Sequence, residues 1–359
     1  MQFKKSDLSE VLNKLSPGID KDGLIEGCEN LIFSEDLIVS YNDQICSVVA
    51  FKTGIKASVP AIQLIQAIKF CSEEIDLSLK KDVLHVKSGD LHYKFASKKE
   101  TAAFEYVEAV MGILEKAQDN FKELPGNFFA GIWDTVFSSS TKTNIMNDTS
   151  DCIKIGACIE STDKMRMSVF DLDSPISPAI LIKSKSAKEL QKFEELSHYY
   201  IDDNWVVFSN DLDSFFCIRI QQGLFPDLKA KVLDNIKVND SQAVPIDEKL
   251  KNKIMVVSPI SDYAGFIKME TAGEKITISS EASIGSSKSE LDIPGASFQA
   301  LEKLLNPKFL KEAMDHGKEL FLTDQAAVIR NQNFIHLFMY IVMTGEEDAK
   351  ENSEEVPEF

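Results

Sequence analysis

Acid–base and metal chemistry need side chains at fixed spacing, and this chain offers few candidates. His85, His92, His198, His316 and His336 are scattered, and no two have the spacing that puts both imidazoles on one ion. Asp202-Asp203 and Asp211-x-Asp213 carry the right atoms for a divalent cation. Both pairs, however, flank strand-like runs, where Asp is an ordinary turn residue. No GxSxG, HExxH, GxGxxG or Walker A run occurs. Cys28, Cys46, Cys71, Cys152, Cys158 and Cys217 stand apart with no CxxC, which reads as reduced thiols in a cytoplasmic protein. The expectation is a chain that is not an enzyme and needs no metal or cofactor.

The residues that do recur are Lys, Asn and Gln on helical faces. Lys188 and Lys192 lie opposite Leu190. Lys308 and Lys311 lie opposite Phe309 and Met314. Lys249 and Lys251 flank Asn252. Asn13 and Lys14 face away from Leu8, Val11, Leu12 and Leu15, and Gln63, Gln66 and Lys69 away from Leu64 and Ile68. Lys142 follows the helix at 127–139. A single lysine on a solvated face is unremarkable, but a face that repeats in several helices points to a polyanion. This matters because the body is acidic, with net charge -18. A simple nucleic-acid binder would be basic throughout, so any such contact must be a local surface.

The elements that position these faces repeat in pattern about every 115 residues. Each unit reads as two amphipathic helices, each followed by alternating strands. In the first, Leu8, Val11, Leu12 and Leu15 point inward from one helix. Ala61, Leu64, Ile65 and Ile68 do so from the other, with Pro60 at its start. Turns are expected at Lys80–Asp82 and Ser88–Asp90. In the second, Phe129, Ile132, Trp133 and Val136 are expected inward, then Ala187, Leu190 and Phe193. In the third, Leu250, Ile254 and Val257 point inward. Its last helix takes Asn306 as N-cap, Pro307 at the first position and Gly317 as C′.

Charge and breaks mark the boundaries. Residues 1–123, 124–240 and 241–344 carry net -5, -5 and -2, and the last fifteen residues carry -6. The tail 345–359, GEEDAKENSEEVPEF, is expected to be disordered. Phe104, Val107, Val110, Met111 and Leu114 have helical spacing, which predicts a helical linker over 101–120 at the end of the first domain. The run IQQGLFPDLKAKV breaks a strand with Gly223 and Pro226 and marks the end of the second. No apolar run approaches the ~20 residues of a membrane span.

Phe225-Pro226-Asp227 in that position resembles the joint between the second and third domains of the bacterial DNA polymerase III β subunit, the β sliding clamp. VPAIQLIQAIKFC through LHYKFAS resembles the second half of that family's first domain, and PKFLKEAMDHGKELFLTDQAAVIRN through YIVM its C-terminal end. The resemblance covers about residues 1–344. It implies an α+β chain of three repeated clamp domains, joined head to tail with a second copy into a dimeric ring. The function implied is a processivity factor that encircles double-stranded DNA and tethers the replicative polymerase. Its partners would be a clamp loader, the polymerase and a second copy of itself, with no membrane. The alternative from another class is a viral structural or assembly protein built of repeated α+β units.

On this resemblance the DNA-facing residues are Asn13, Lys14, Gln66, Lys69, Lys142, Lys188, Lys192, Lys249, Lys251, Lys308 and Lys311. Lysine in place of arginine suits a surface that holds phosphates without fixing them, since only Arg166, Arg219 and Arg330 are arginines. A partner-peptide pocket would use Phe170, Leu172, Pro175, Val256, Val342 and Met343. Ring closure would pair LHYKFAS with KSELDIPG, anchored by Phe95, Leu291 and Ile293. The chain departs from the family where Leu172-Asp173-Ser174 replaces Gly-His-Arg, where Thr344-Gly345-Glu346 replaces Pro-Met-Arg, at Asp234, and in the acidic tail. Such departures fit a bacteriophage-encoded member.

Overall fold

The computed structural model describes residues 1–98, 102–141, 149–193, 195–210 and 214–342. Lys142, Met343, the Asp211-x-Asp213 pair and the tail lie outside them. The chain divides into two compact units. One comprises Met1–Ile159 and Leu172–Phe225, the other Glu160–Asp171 and Pro226–Phe359.

In chain order the elements begin with β1 (Gln2–Lys4), α1 (Lys5–Leu15), β2 (Asn30–Tyr41), β3 (Ile45–Pro60) and α2 (Ala61–Phe70). Next come β4 (Glu74–Lys80), β5 (Val83–Ser88), β6 (Leu91–Ala96), α3 (Ala102–Ala117), β7 (Lys122–Glu123) and α4 (Phe128–Thr135). They continue with β8 (Cys152–Ile155), β9 (Cys158–Thr162), β10 (Arg166–Asp171), β11 (Ile180–Lys183) and α5 (Ser184–Glu189), whose last turn tightens into a 3-10 turn, Leu190–Lys192. β12 (His198–Ile201), β13 (Trp205–Ser209) and β14 (Phe215–Arg219) complete the first unit.

That unit is built on a six-stranded antiparallel sheet in the order β2-β3-β14-β13-β12-β7. β3 and β14 pair in the register Phe215↔Val48 to Ile218↔Ile45, so strands far apart in the sequence share one sheet. Period-two alternation divides its side chains between two cores. Leu31, Phe33 and Ile38 face α1 and α2; Val206, Phe208, Phe216 and Ile218 face α4 and α5. The opposite face carries Ile32, Val39, Cys46, Val48, Trp205, Val207 and Cys217, and α3 covers it with Val107, Val110 and Leu114. Covering both faces explains why these strands read as near-continuous apolar runs. A second sheet, β1-β4-β5-β6, packs Ile75, Leu77, Leu84 and Val86 against α1 and α2. The β4–β5 turn has Lys81 and Asp82 both at positive φ, as a two-residue hairpin turn requires.

In the second unit β10 lies in the order β10-β22-β21-β20-β15, with β15 (Val244–Pro245), β20 (Glu319–Leu322), β21 (Ala326–Arg330) and β22 (Phe334–Met339). The other sheet is β18-β17-β16-β19, formed by β16 (Ile267–Gly273), β17 (Lys275–Ala282), β18 (Gly285–Asp292) and β19 (Phe298–Leu305). Its helices are α6 (Leu228–Lys231), α7 (Glu248–Ala264) and α8 (Pro307–Met314). Asp247 caps α7 by accepting from the Leu250 N–H at 2.9 Å, and Gly265 ends it at φ 80°. α7 buries Leu250, Ile254 and Val257, and α8 buries Leu310, Ala313 and Met314.

Two expectations need correction. In α4 the core position belongs to Phe128, fully buried with Ile132 and Val136, while Trp133 is 55% exposed. Ile132 and Val136 face the core as expected and Phe129 packs against it half-buried, but Phe128 takes the place expected for Trp133, packing on Phe208 at 5.5 Å. Gly317 is not a left-handed C′ residue, since α8 ends at Asp315 in the right-handed region and Gly317 is not at positive φ. Glycine is needed there for another reason. A Cβ would stand 2.1 Å from Ile329 Cγ2, where the chain crosses β21. Asn306 and Pro307 are as expected: the Asn306 side chain accepts from the Lys308 and Phe309 N–H groups.

Candidate nucleic-acid interface and edge strands

The helices that back the sheets are α1, α2, α4, α5 with its 3-10 turn, α7 and α8. Together they carry eleven lysines and seven carboxylates, in a chain where acids outnumber bases 57 to 39. Their inner faces are spent on the cores, so charge is confined to the outer ones. In the first unit Lys14 of α1 pairs with Glu195, and Lys192 reaches Ser16 Oγ at 3.0 Å. These links set the α1–α2 and α4–α5 helix pairs side by side.

The expected lysines fall into two sets. Lys14 pairs with Glu10 and Glu195, Lys192 with Glu189, Lys251 with Asp315, Lys308 with Glu312 and Lys311 with Asp262. Burial pulls the Lys14 ammonium pKa down, but hydrogen bonds to Glu195 and Glu10 outweigh it and the net shift is upward. Lys69, Lys188 and Lys249 are exposed and have no ion pair among the described residues. Asn13 and Gln66 are exposed as well. The surface is therefore a field of compensated pairs with a few free ammonium groups, which favours weak and mobile contact with phosphates over a fixed grip.

β6 and β18 each end a sheet, as β1 and β19 do at the opposite ends of the same two sheets. β6 is the terminal strand of β1-β4-β5-β6, and β18 the terminal strand of β18-β17-β16-β19. Such edges present a row of free backbone groups. Phe95 is half-buried beside Tyr93 on β6, and Leu291 is 8% exposed on β18. Ile293 lies just past β18, its N–H donating to the Glu274 carbonyl at 2.8 Å. The outward rows differ in charge. On the β6 side Lys87, Lys94, His85 and His92 lie together, with His85 Nδ1 2.9 Å from His92 Nε2. Desolvation, then Lys87 and Lys94, lower the His92 pKa. On the β18 side hydrogen bonds from Lys275 and Lys288 hold the Glu290 carboxyl down at about 2, and Asp292 follows it.

Near β18 the structure sets Met255, Tyr263 and Ile284, which the sequence reading passed over, beside Val256, an expected pocket residue. Met255, Val256 and Tyr263 on α7 and Ile284 in the β17–β18 turn are all more than half exposed. The Val256 carbonyl accepts from Ser287 Oγ of β18, which puts Val256 beside this edge. The signal was present in sequence: Val256, Pro259 and Tyr263 form a second stripe at helical spacing.

Of the other expected pocket residues, Phe170 is buried in β10 of the second unit. Leu172 packs into the core around α4 and α5 in the first, with Pro175 exposed in the same unit. Val342 is 81% exposed. A cavity of about 610 Å³ in the second unit has Val169, Leu233 and Ile335 on its walls and Lys229, Lys318 and Arg330 among its polar groups; it includes none of the expected pocket residues. At the Phe225–Pro226 break, Gly223 sits at φ 152° against Thr149, whose hydroxyl donates to the Leu224 carbonyl, and Asp227 caps α6. No group of three or more His, Cys, Asp or Glu among the described residues is placed to hold a metal ion.

No family model matches the chain, and no curated protein sequence matches it either. Solved structures do. The DNA polymerase III β subunit of Thermotoga maritima superposes with TM-score 0.75 at 15% identity, covering 96% of this chain and 99% of that one. The DNA polymerase sliding clamp of Pseudomonas aeruginosa gives 0.74 at 13% identity, over 96% and 99%. The β subunit of the Streptococcus pyogenes polymerase gives 0.74 at 16%, over 95% and 99%. The fold is thus the α+β fold of these sliding clamps, shared along nearly the whole length.

Proposed function

We propose that this chain is a DNA sliding clamp: a non-enzymatic processivity factor that encircles duplex DNA and tethers a replicative polymerase in the cytoplasm. The observation that carries the reading is the charge of the sheet-backing helices, which hold an excess of lysine in a strongly acidic chain that has the clamp fold. An acidic body avoids nonspecific adhesion, while a lysine-bearing inner surface keeps contact with phosphates as the DNA passes.

In this reading the chain has three clamp domains, 1–123, 124–240 and 241–344, and two copies close a ring. β6 of one copy meets β18 of the other, and His92 and Lys94, with His85 and Lys87 of β5 behind them, oppose Glu290 and Asp292. Phe95, Leu291 and Ile293 serve as anchors, extended by Tyr263 and Ile284. Polymerase and loader would dock through a short peptide near Phe170, Leu172, Pro175, Val256 and Val342. No helix among the described residues is long and apolar enough to cross a membrane.

Multi-angle light scattering at micromolar concentration tests the assembly. A mass of twice 40.1 kDa is expected. A monomer, with no ring by negative-stain microscopy, overturns the proposal and leaves an assembly protein of α+β units as the better account.

A further inference from the structure

His85 and His92 are seven residues apart, a separation that would not bring two imidazoles to one ion along a single helix or strand. The β5–β6 hairpin does bring them together. Its register pairs His85 with Lys94 and Lys87 with His92, so the two histidines are diagonal neighbours on one face of the sheet. That face points away from the core, which takes Leu84, Val86, Tyr93 and Phe95 from the alternate positions. His92 is exposed and His85 half-buried. His85 Nδ1 lies 2.9 Å from His92 Nε2, with the ring centroids 5.2 Å apart.

Two ring nitrogens held in this way are two ligands set for one cation. Imidazole nitrogens about 2.1 Å from a metal stand about 3.0 Å apart when the two bonds meet at right angles, and about 3.4 Å apart on a tetrahedral centre. The observed spacing fits the right-angled geometry that Cu2+ and Ni2+ adopt with nitrogen ligands. No proton need leave the pair. Two neutral imidazoles carry two protons on four nitrogens, and moving the shared one to an outer nitrogen frees both facing lone pairs. On the same face stand Lys87 and Lys94, then Lys80, with Ser78 and Asp76 on β4 and Asp76 paired to the chain's amino terminus. Desolvation and these ammonium groups hold the His92 pKa down, which keeps its lone pair free at neutral pH. The same lysines repel a cation and so limit its affinity.

We infer that His85 and His92 form a two-imidazole site for a late first-row divalent cation, with water in the remaining positions. The site needs no third side chain, and no larger cluster of ligands exists among the described residues. A cation bound there would tie β6, the terminal strand, to β5. Both ligands belong to one sheet, so the inference stands or falls apart from ring closure.

The experiment is calorimetric titration of the untagged full-length protein with NiCl2 at pH 7.5, beside the variants His85→Gln, His92→Gln and Lys94→Gln. The wild type is expected to bind one Ni2+ per chain. Either histidine variant should bind about 10-fold or more weakly, since even an outer partner of a metal ligand is worth that much. Lys94→Gln removes a repelling charge and keeps both ligands, so it should bind more tightly. At pH 5.5 wild-type binding should weaken, because protons then compete for both lone pairs. Absence of saturable binding overturns the inference. So does equal affinity in the wild type and the two histidine variants, which would place the ion elsewhere, on Cys158 or the amino terminus.

Discussion

Lys69, Lys188 and Lys249 are the sharpest lever on the proposed DNA contact, because they are exposed and carry no ion pair among the described residues. Lys14, Lys192 and Lys251 make the natural control, since each is held by a carboxylate: Glu195, Glu189 and Asp315 respectively. Each phosphate neutralised by an ammonium group contributes about 0.9 to the slope of log affinity against log salt. Changing Lys69, Lys188 and Lys249 to Ala should lower that slope by about 2.7. Between 50 and 200 mM salt, those three contacts account for a roughly 40-fold loss of affinity, so the variant's loss over this range should be smaller by about that factor. Changing the paired set to Ala should lower the slope by less than about 1, because those ammonium groups already have partners and release few counterions. Anisotropy of a labelled duplex across a salt series measures both. An unchanged slope in the first variant, or an equal fall in the two, would refute the division of the surface into free and compensated lysines.

Three further outcomes follow from the same structure. His336 is fully buried against Ser168 Oγ, and burial, then Arg166 and His316, hold its pKa well below the usual range. The unfolded chain therefore binds more protons below about pH 6.5. Stability should fall as pH drops through that value, by at most about 1.4 kcal/mol per unit from this group; chemical denaturation at pH 7.0 and 5.5 checks it, with the slope reduced in His336→Gln. Gly317→Ala should cost about 1–3 kcal/mol by overpacking against Ile329, read as a lower urea midpoint. Leu291→Asp puts a carboxylate at an 8%-exposed position on the edge strand and should convert the proposed dimer to monomer in light scattering.

Much of this fold was legible because both periodicities were clean. The stripes of α1, α5 and α7 fall where helical spacing put them, and α3 occupies most of the expected linker helix with Val107, Val110 and Leu114 inward. The misses have specific causes. Phe128 and Phe129 are adjacent and equally apolar, so spacing alone could not decide which faces the core, and contact with Phe208 decides it. The sequence reading assigned nothing to β19, whose Leu301, Leu304 and Leu305 have helix-like spacing; its pairing with β16, from Ile267↔Leu305 to Thr271↔Leu301, makes it a strand. β3 runs sixteen residues to Pro60, because β2 continues beside it on both sides of the irregularity between Glu35 and Leu37.

The lysine faces were legible as positions and not as electrostatics. Their carboxylate partners come from other elements, as with Lys251 and Asp315 or Lys14 and Glu195, and only folding brings those charges together. The free edges of β6 and β18 follow from sheet order, which single-strand patterns cannot give.

Encirclement is tested most directly by topology. The protein is loaded on nicked circular duplex DNA, the plasmid is left intact or cut once, and bound protein is measured after gel filtration in high salt. A closed ring that contacts phosphates only weakly should remain on the circle and run off the linear form. Equal retention on both, or equal loss from both, would contradict it.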